Sequence, residues 1–251
     1  MDVFYTDLDN TLLYSYKHEI GTDKRNVEMY EGREVSFLTT RTYRLLLELK
    51  KHVRIVPVTT RTMEQYGRVE LGIGALRHAL VCNGGMLLVN GRIDRTWYEQ
   101  SLQLVRESRA ELEQAARLLE QEKNRTLDVR DIRQLFLFTK CRFANDTIRR
   151  LKQQLQPGRT DVFSNGEKVY VVPKKLNKGM AVTRFTEYIG ARHTAAAGDS
   201  VFDLPMLAQA EVAMAPAGSG WSGETAHGHI YEMPGKHVFS EELLEFLLER
   251  V

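Results

Sequence analysis

At 251 residues, 43% hydrophobic and 27% charged, the chain has the composition of an ordinary globular protein with enough length for one large core or two modest ones. A formal net charge of +2, with Lys and Arg dispersed, argues against a dedicated nucleic-acid surface, and no stretch approaches the roughly 20 apolar residues of a membrane span. Cys82 and Cys141 lack a CxxC companion and Asp2 is acidic where a secretory signal would be basic, so neither a disulfide framework nor a zinc site is expected and the chain reads as a soluble, cytoplasmic protein.

Residues 2–8 read as a short β-favouring strand that delivers two carboxylates, Asp7 and Asp9, into the turn-prone Asn10-Thr11. The polar segment 14–36 shows no clear period and reads as a loop with room for a small hairpin. A helix is predicted over 41–52, with Thr42 as N-cap and Leu45, Leu46 and Leu49 on its apolar face. Residues 53–58 form a second strand that ends in Thr59-Thr60-Arg61-Thr62, followed by a helix over 62–71. A third strand over 79–82 runs into Asn83-Gly84-Gly85. This alternation is that of a parallel sheet with crossover helices.

The pattern then changes. Residues 86–89 and 92–98 flank Asn90-Gly91 as a hairpin, and 99–123 read as one long helix. A strand is predicted over 133–143 and a helix over 145–156, stopped by Pro157-Gly158. Residues 161–164 and 168–172 flank Asn165-Gly166 as a second hairpin. After Pro173 the alternation resumes: a helix over 178–189, a strand over 193–197 entering Gly198-Asp199-Ser200, a short helix near 204–209 with Pro205 in its first turn, a strand over 211–215 and a last helix over 240–250. The predicted organisation is an α/β core with a Rossmann-like parallel sheet, residues 1–84 plus 174–251, interrupted by an inserted α+β domain, residues 85–173.

Asp7/Asp9, Thr59, Lys178 and Asp199/Asp203 fall at predicted strand ends or helix starts of that core. Ligands of parallel α/β sheets bind beyond the carboxyl ends of the strands, where these groups can converge. A carboxylate can attack phosphorus only if the opposing negative charge is offset, and Mg²⁺ does this with one or two carboxylates plus waters and phosphate oxygens. Asp7 and Asp199 are the candidate ligands, with the main-chain carbonyl of Asp9 as a third. Lys178 supplies a point charge, Thr59 a hydroxyl donor, and Asp9 carries the proton.

In these motifs the chain resembles the haloacid dehalogenase (HAD) superfamily of phosphatases: Asp7-Leu8-Asp9-Asn10-Thr11, Thr59-Thr60-Arg61, Lys178-Gly179 and Gly198-Asp199-Ser200-Val201-Phe202-Asp203. The insertion lies between the second and third motifs, as in type-two caps, a branch that includes Cof-like and sucrose-phosphate-phosphatase-like sugar phosphatases. The resemblance implies a HAD-like core with a cap that covers the site. It makes Asp7 the nucleophile and a Mg²⁺ ligand, Asp9 the general acid/base, Thr59, Thr60 and Lys178 the phosphate-binding residues, and Asp199 a Mg²⁺ ligand. Many relatives carry Gly at the position of Thr60 and Asn at that of Phe202, so support of the metal falls to Asp203, Ser200 or water, with Asp203 also a partner for Lys178 or the N-cap of the helix that follows.

The function so implied is Mg²⁺-dependent hydrolysis of a small phosphorylated metabolite, a sugar phosphate foremost, through an aspartyl-phosphate. The alternatives are a phosphotransferase or phosphomutase on sugar phosphates and a phospho-accepting signalling domain; Asp9 and the insertion argue against the last. No nucleic-acid or membrane partner is expected. Arg142, Lys168, Lys174 and Lys175 are candidate substrate contacts of the insertion, Trp97-Tyr98 reads as insertion core, and His227 and His229 read as loop residues.

Overall fold

The computed structural model describes residues 1–156 and 158–251. Its contacts divide the chain into two units, Met1–Asp94 with Lys178–Val251, and Arg95–Asn177.

The first unit opens with β1 (Val3–Thr6), whose four residues are all buried. The segment expected to be a loop instead forms a three-stranded antiparallel sheet of β2 (Tyr14–Ser15), β3 (Lys24–Tyr30) and β4 (Arg33–Thr39), in the order β2-β4-β3. Its alternation is hidden because the register shifts between Asn26 and Glu28 and again between Glu28 and Met29, and each shift turns subsequent side chains to the other face. Next comes α1 (Thr40–Leu49). Its N-cap is Thr39 rather than Thr42, since the Thr39 hydroxyl accepts the Thr42 N–H at 3.0 Å. Thr42 lies inside the first turn, buried, with its hydroxyl 2.7 Å from that of Ser240.

β5 (Arg54–Pro57) follows, and α2 (Met63–Tyr66) is a single turn rather than the longer helix expected over 62–71. Thr62 and Gln65 close a capping box at its start, and Gly67 ends it. β6 (His78–Val81), β7 (Met86–Val89) and β8 (Arg92–Ile93) make a second antiparallel sheet of three strands, so the first unit runs to Asp94.

The second unit begins with α3 (Arg95–Val105) where the hairpin was expected to run on to residue 98. Trp97, Ser101 and Val105 are its buried residues, a spacing of four that belongs to one helix face. The long helix expected over 99–123 is broken by a 3₁₀ turn at Arg106–Ser108, after which α4 (Arg109–Glu120) starts. β9 (Arg125–Ile132) was not expected, and residues 133–135 are a turn rather than strand, with Arg133 and Gln134 at φ of 53° and 59°. β10 (Phe136–Cys141), α5 (Ala144–Gln154), β11 (Thr160–Asn165) and β12 (Lys168–Pro173) complete it; Pro157, expected to stop the helix, lies outside the described residues. The strands form an antiparallel sheet in the order β11-β12-β10-β9. Leu137, Cys141, Val162, Val169 and Val171 of that sheet pack with Leu112, Leu119 and Leu151 of α4 and α5. Phe138, Tyr170 and Phe163 stand in register across three of its strands.

The chain returns to the first unit with α6 (Lys178–Ile189), β13 (Thr194–Ala197), α7 (Leu204–Leu207), β14 (Val212–Ala215), β15 (Gly223–Glu224), β16 (His229–Glu232) and α8 (Phe239–Leu248). The main sheet has the order β15-β16-β14-β13-β1-β5, parallel throughout except for β15 at its edge. Sequence order reverses at β1, which pairs with β5 on one side and β13 on the other, so the switch point lies at the carboxyl end of β1. Phe4 joins a core with Leu46 and Leu49 of α1 and Leu243, Leu244 and Leu247 of α8. On the other face the Tyr5 hydroxyl meets that of Thr186 on α6 at 2.7 Å and its ring meets Phe185 edge-on. With both faces covered, the short strands can be apolar throughout. Among the described residues no helix is long and apolar enough to cross a membrane.

Thr39 ties the start of α1 to α8, because besides capping Thr42 its hydroxyl donates to the buried Glu241 carboxylate at 2.6 Å. Thr39→Ala is expected to lower stability in urea unfolding by about 1–2 kcal/mol, the upper part of the range for loss of a cap; an unchanged midpoint would contradict this assignment.

Candidate active site

Beyond β1 the Asp7 N–H donates to Ala197 O at 2.9 Å, which pins the first residue past β1 to the last residue of β13. The chain then turns sharply. Leu8 O accepts from the N–H groups of Thr11, Leu12 and Leu13 at 3.3, 3.0 and 2.8 Å, and Asn10 takes a φ of 60°, which Asn tolerates better than most residues. The turn keeps the Asp7 side chain only 10% exposed and leaves that of Asp9 half exposed.

Lys178, the first residue of α6, is 1% exposed. Its ammonium sits 2.6 Å from Asp7 Oδ1 and 2.5 Å from Asp203 Oδ1. Asp203 is fully buried, and its other oxygen, Oδ2, accepts from the Asp199 N–H at 3.2 Å, the Ser200 N–H at 2.9 Å and the Ser200 hydroxyl at 2.7 Å. Asp203 therefore does not cap α7 with its side chain; it links Lys178 to the backbone that carries Asp199. Two glycines permit this closeness. A Cβ on Gly198 would stand 2.3 Å from Asp203 Cβ, and one on Gly179 would stand 2.4 Å from the Pro205 carbonyl oxygen. Asp199 Oδ1 accepts the Thr11 hydroxyl at 3.1 Å, closing the ring of contacts back to the first motif.

Thr59 follows β5 and is fully buried. Its N–H donates to Leu80 O at 2.9 Å, and its hydroxyl oxygen accepts the Arg61 N–H at 3.1 Å, which leaves the hydroxyl proton available to a ligand. Thr60 is half-buried in the bend that follows. Arg61 forms a bidentate fork on Asp9, Nε to Oδ2 at 2.8 Å and Nη2 to Oδ1 at 2.7 Å, and Nη2 also reaches Glu28 Oε2 at 2.9 Å. Burial works against the Arg61 charge, yet Asp9 and Glu28 outweigh it and hold the guanidinium protonated.

One ligand oxygen from each of Asp7, Asp199 and Asp203 lies within 4.8 Å of the other two, an arrangement that can hold a metal ion. The charges do not balance within the protein. Burial, with three neighbouring carboxylates, raises Asp7 well above the ordinary carboxylate range against the pull of Lys178. Burial and the Asp203 charge push Asp199 up to about 6. Lys178 stays protonated, because Asp203 and Asp7 outweigh its desolvation. Hard oxygen donors with surplus negative charge suit Mg²⁺. Both Asp203 oxygens are engaged, so Asp7 and Asp199 are the carboxylates with capacity to spare.

The structure thus gathers Asp7, Lys178, Asp199 and Asp203 into one cluster and brings Thr11, a member of the first motif with no role expected of it, onto Asp199. The Asp9–Arg61–Glu28 chain was not foreseen: Arg61 stands in the second motif, yet its partner Glu28 lies on β3, in the segment expected to be a loop. Lys174 and Lys175 face Asp161 and Glu107 at 3.8 and 2.9 Å within the second unit. Trp97 is buried on α3. His229 lies on β16, its ring 4.5 Å from that of Tyr231, rather than in a loop.

A family described as haloacid dehalogenase-like hydrolase matches residues 78–219. The fold is similar over nearly its whole length to several solved structures. A sucrose-phosphatase from Synechocystis, determined with sucrose and phosphate, is 16% identical, with 99% of this chain and 97% of that one covered and a TM-score of 0.67. A haloacid dehalogenase-like hydrolase from Bacteroides thetaiotaomicron is 16% identical, with 98% and 99% covered and a TM-score of 0.61. A HAD subclass IIB sugar phosphatase is 11% identical, with 100% and 99% covered and a TM-score of 0.61. No curated protein matches the chain by sequence.

The raised Asp199 has a measurable consequence. A carboxylate with a folded pKa of about 6 costs stability when it ionises, so its contribution falls as pH climbs from its unfolded value of about 4 through about 6. A divalent cation requires the ionised form. The rise in Tm caused by millimolar Mg²⁺ is therefore expected to be larger near pH 7.5 than near pH 5, and to shrink in Asp199→Asn, as read by thermal melts at both pH values. Equal stabilisation at both would contradict the assignment.

Proposed function

From the premise that the chain belongs to the haloacid dehalogenase-like hydrolases, we propose that it is a Mg²⁺-dependent phosphatase acting on a small phosphorylated metabolite, a sugar phosphate foremost, through an aspartyl-phosphate on Asp7. The observation that carries the reading is the buried Lys178 ammonium within hydrogen-bond reach of Asp7 and Asp203 beside Asp199, at the switch point of a parallel sheet. Two of the similar structures, a sucrose-phosphatase and a sugar phosphatase, support the substrate class.

Asp7 and Asp199, with the main-chain carbonyl of Asp9, would hold the metal, and Asp203 would orient the Asp199 backbone and Lys178. When bound, Mg²⁺ supplies positive charge that offsets repulsion between the carboxylates and an incoming phosphoryl group. An Asp7 carboxylate oxygen attacks phosphorus; the bond from phosphorus to the ester oxygen breaks, and Asp9, entering this step protonated and with its protonated oxygen turned from the Arg61 fork, gives the ester oxygen its proton. Lys178, the Thr59 hydroxyl and nearby backbone N–H groups carry the charge that grows on the phosphoryl oxygens, with Thr60 beside them. Asp9, now ionised, takes a proton from water as the water oxygen attacks phosphorus, which releases phosphate and restores Asp7.

The test is an assay with p-nitrophenyl phosphate and a panel of phosphorylated sugars, with Mg²⁺ and with EDTA. Wild type is expected to release phosphate to water only with Mg²⁺, and Asp7→Asn to lose activity by roughly 10³-fold or more while retaining its melting transition. Phosphate transferred to an added sugar in preference to water would instead favour a phosphotransferase, and appreciable Mg²⁺-dependent hydrolysis by Asp7→Asn would remove the nucleophile assignment.

A further inference from the structure

We propose that Glu28, on β3, is a positioning residue for the proton carrier Asp9 and acts by orienting Arg61; the inference rests on the phosphatase reading above. The geometry is a chain of alternating charge, Asp9, Arg61, Glu28 and Arg68. Arg61 engages both Asp9 oxygens. Its Nη2 is shared with Glu28 Oε2 at 2.9 Å, and its Nη1 donates to Gln65 O at 3.4 Å. The other Glu28 oxygen, Oε1, takes Arg68 Nε at 3.2 Å and Nη2 at 3.1 Å. The Arg68 guanidinium stacks in turn over the Tyr30 ring, 4.4 Å from its centroid.

Burial makes this chain costly unless every charge is matched. The side chains of Glu28 and Arg61 are 1% and 11% exposed, while that of Asp9 is 50% exposed. The buried end is thus the interior one, and the exposed end is the carboxylate that must meet a leaving group. Burial alone would push the Glu28 carboxyl up, but Arg61, Ser36 and Arg68 outweigh it and hold Glu28 ionised.

Its aim is built into the strand. The register shift between Asn26 and Glu28 sets Glu28 opposite Ser36, whose hydroxyl donates to Oε2 at 2.6 Å, and Asn26 Nδ2 bonds the carbonyls of Glu28 and Ser36 at 3.1 Å each. Irregularities of this kind re-aim a side chain beside functional sites. A clamp that served only to fasten the small sheet could use apolar contacts, which Val27 and Leu38 already provide. The ionic chain adds a fixed direction for the Arg61 fork, and through it for both oxygens of Asp9.

Leaving-group dependence separates this role from a fastening one. A proton donor matters most when the departing oxygen is strongly basic, and positioned acid catalysis contributes typically 10²–10⁴-fold. Phenoxide is far more basic than p-nitrophenoxide, and the two aryl esters differ little in shape. kcat/KM, which reports phosphoryl transfer to Asp7, is measured for phenyl phosphate and p-nitrophenyl phosphate in wild type, Glu28→Gln and Arg61→Lys, with a melt for each. Glu28→Gln keeps the shape and the Ser36 bond but removes the charge. It is expected to lower kcat/KM for phenyl phosphate about tenfold more than for p-nitrophenyl phosphate, and Arg61→Lys, which keeps the charge but loses the fork, to show the same bias. Equal losses on both esters, or none, would overturn the assignment. If Glu28→Gln does not fold, Arg61→Lys decides by the same criterion. A wild type inactive on both esters would instead remove the phosphatase reading, and this inference with it.

Discussion

One ammonium group closed off from water organises the site. Lys178 Nζ lies between Asp7 and Asp203, and an uncompensated charge at that depth would be untenable: removing one partner of a buried ion pair costs about 3–5 kcal/mol. The pairing fixes the first turn of α6 against the carboxyl ends of β1 and β13. It also forces main chain and side chains together at Gly179 and Gly198, where any Cβ would collide with Pro205 or Asp203. The third and fourth motifs are thus two halves of one packing solution, and the first motif supplies the counter-charge.

The same arrangement leaves the cluster with surplus negative charge that a cation could offset. Three carboxylates face one ammonium, and Asp7 and Asp199 are both raised by burial and by their neighbours. Both oxygens of Asp203 are taken up by Lys178 and by the backbone of residues 199 and 200. Asp9 sits outside this knot, half exposed, and answers to a separate set of charges through Arg61. Two carboxylates spaced by one residue thereby acquire different surroundings, one buried against Lys178 and one held by a guanidinium fork.

Much of this was legible in the sequence. The parallel core follows from short apolar runs alternating with helical periods, and Asp7, Thr59, Lys178 and Asp199 announce themselves because each sits where such a run ends or a helix begins. What stayed hidden had a physical cause. The strands β3 and β4 carry two register shifts and leave the hydrophobic Met29 and Tyr30 exposed, so their period of two is broken at Glu28. β9 sets only Leu127, Val129 and Ile132 among charged and polar residues and runs into a turn of two left-handed residues, and α2 stops after one turn at Gly67. Arg61 could be seen as part of a motif, but its partner Glu28 lies 33 residues away on the segment that reads as a loop.

Covalent chemistry at Asp7 is the central step of the proposed reaction. The most direct measurement is to quench the enzyme during turnover of a hydrolysed phosphate ester, reduce with borohydride, and map the product by peptide mass spectrometry. An aspartyl-phosphate is reduced to homoserine, and the account predicts homoserine at position 7 only, dependent on substrate and Mg²⁺. Turnover with no reduced residue at position 7, or with the label at Asp9, Asp199 or Asp203, would contradict it.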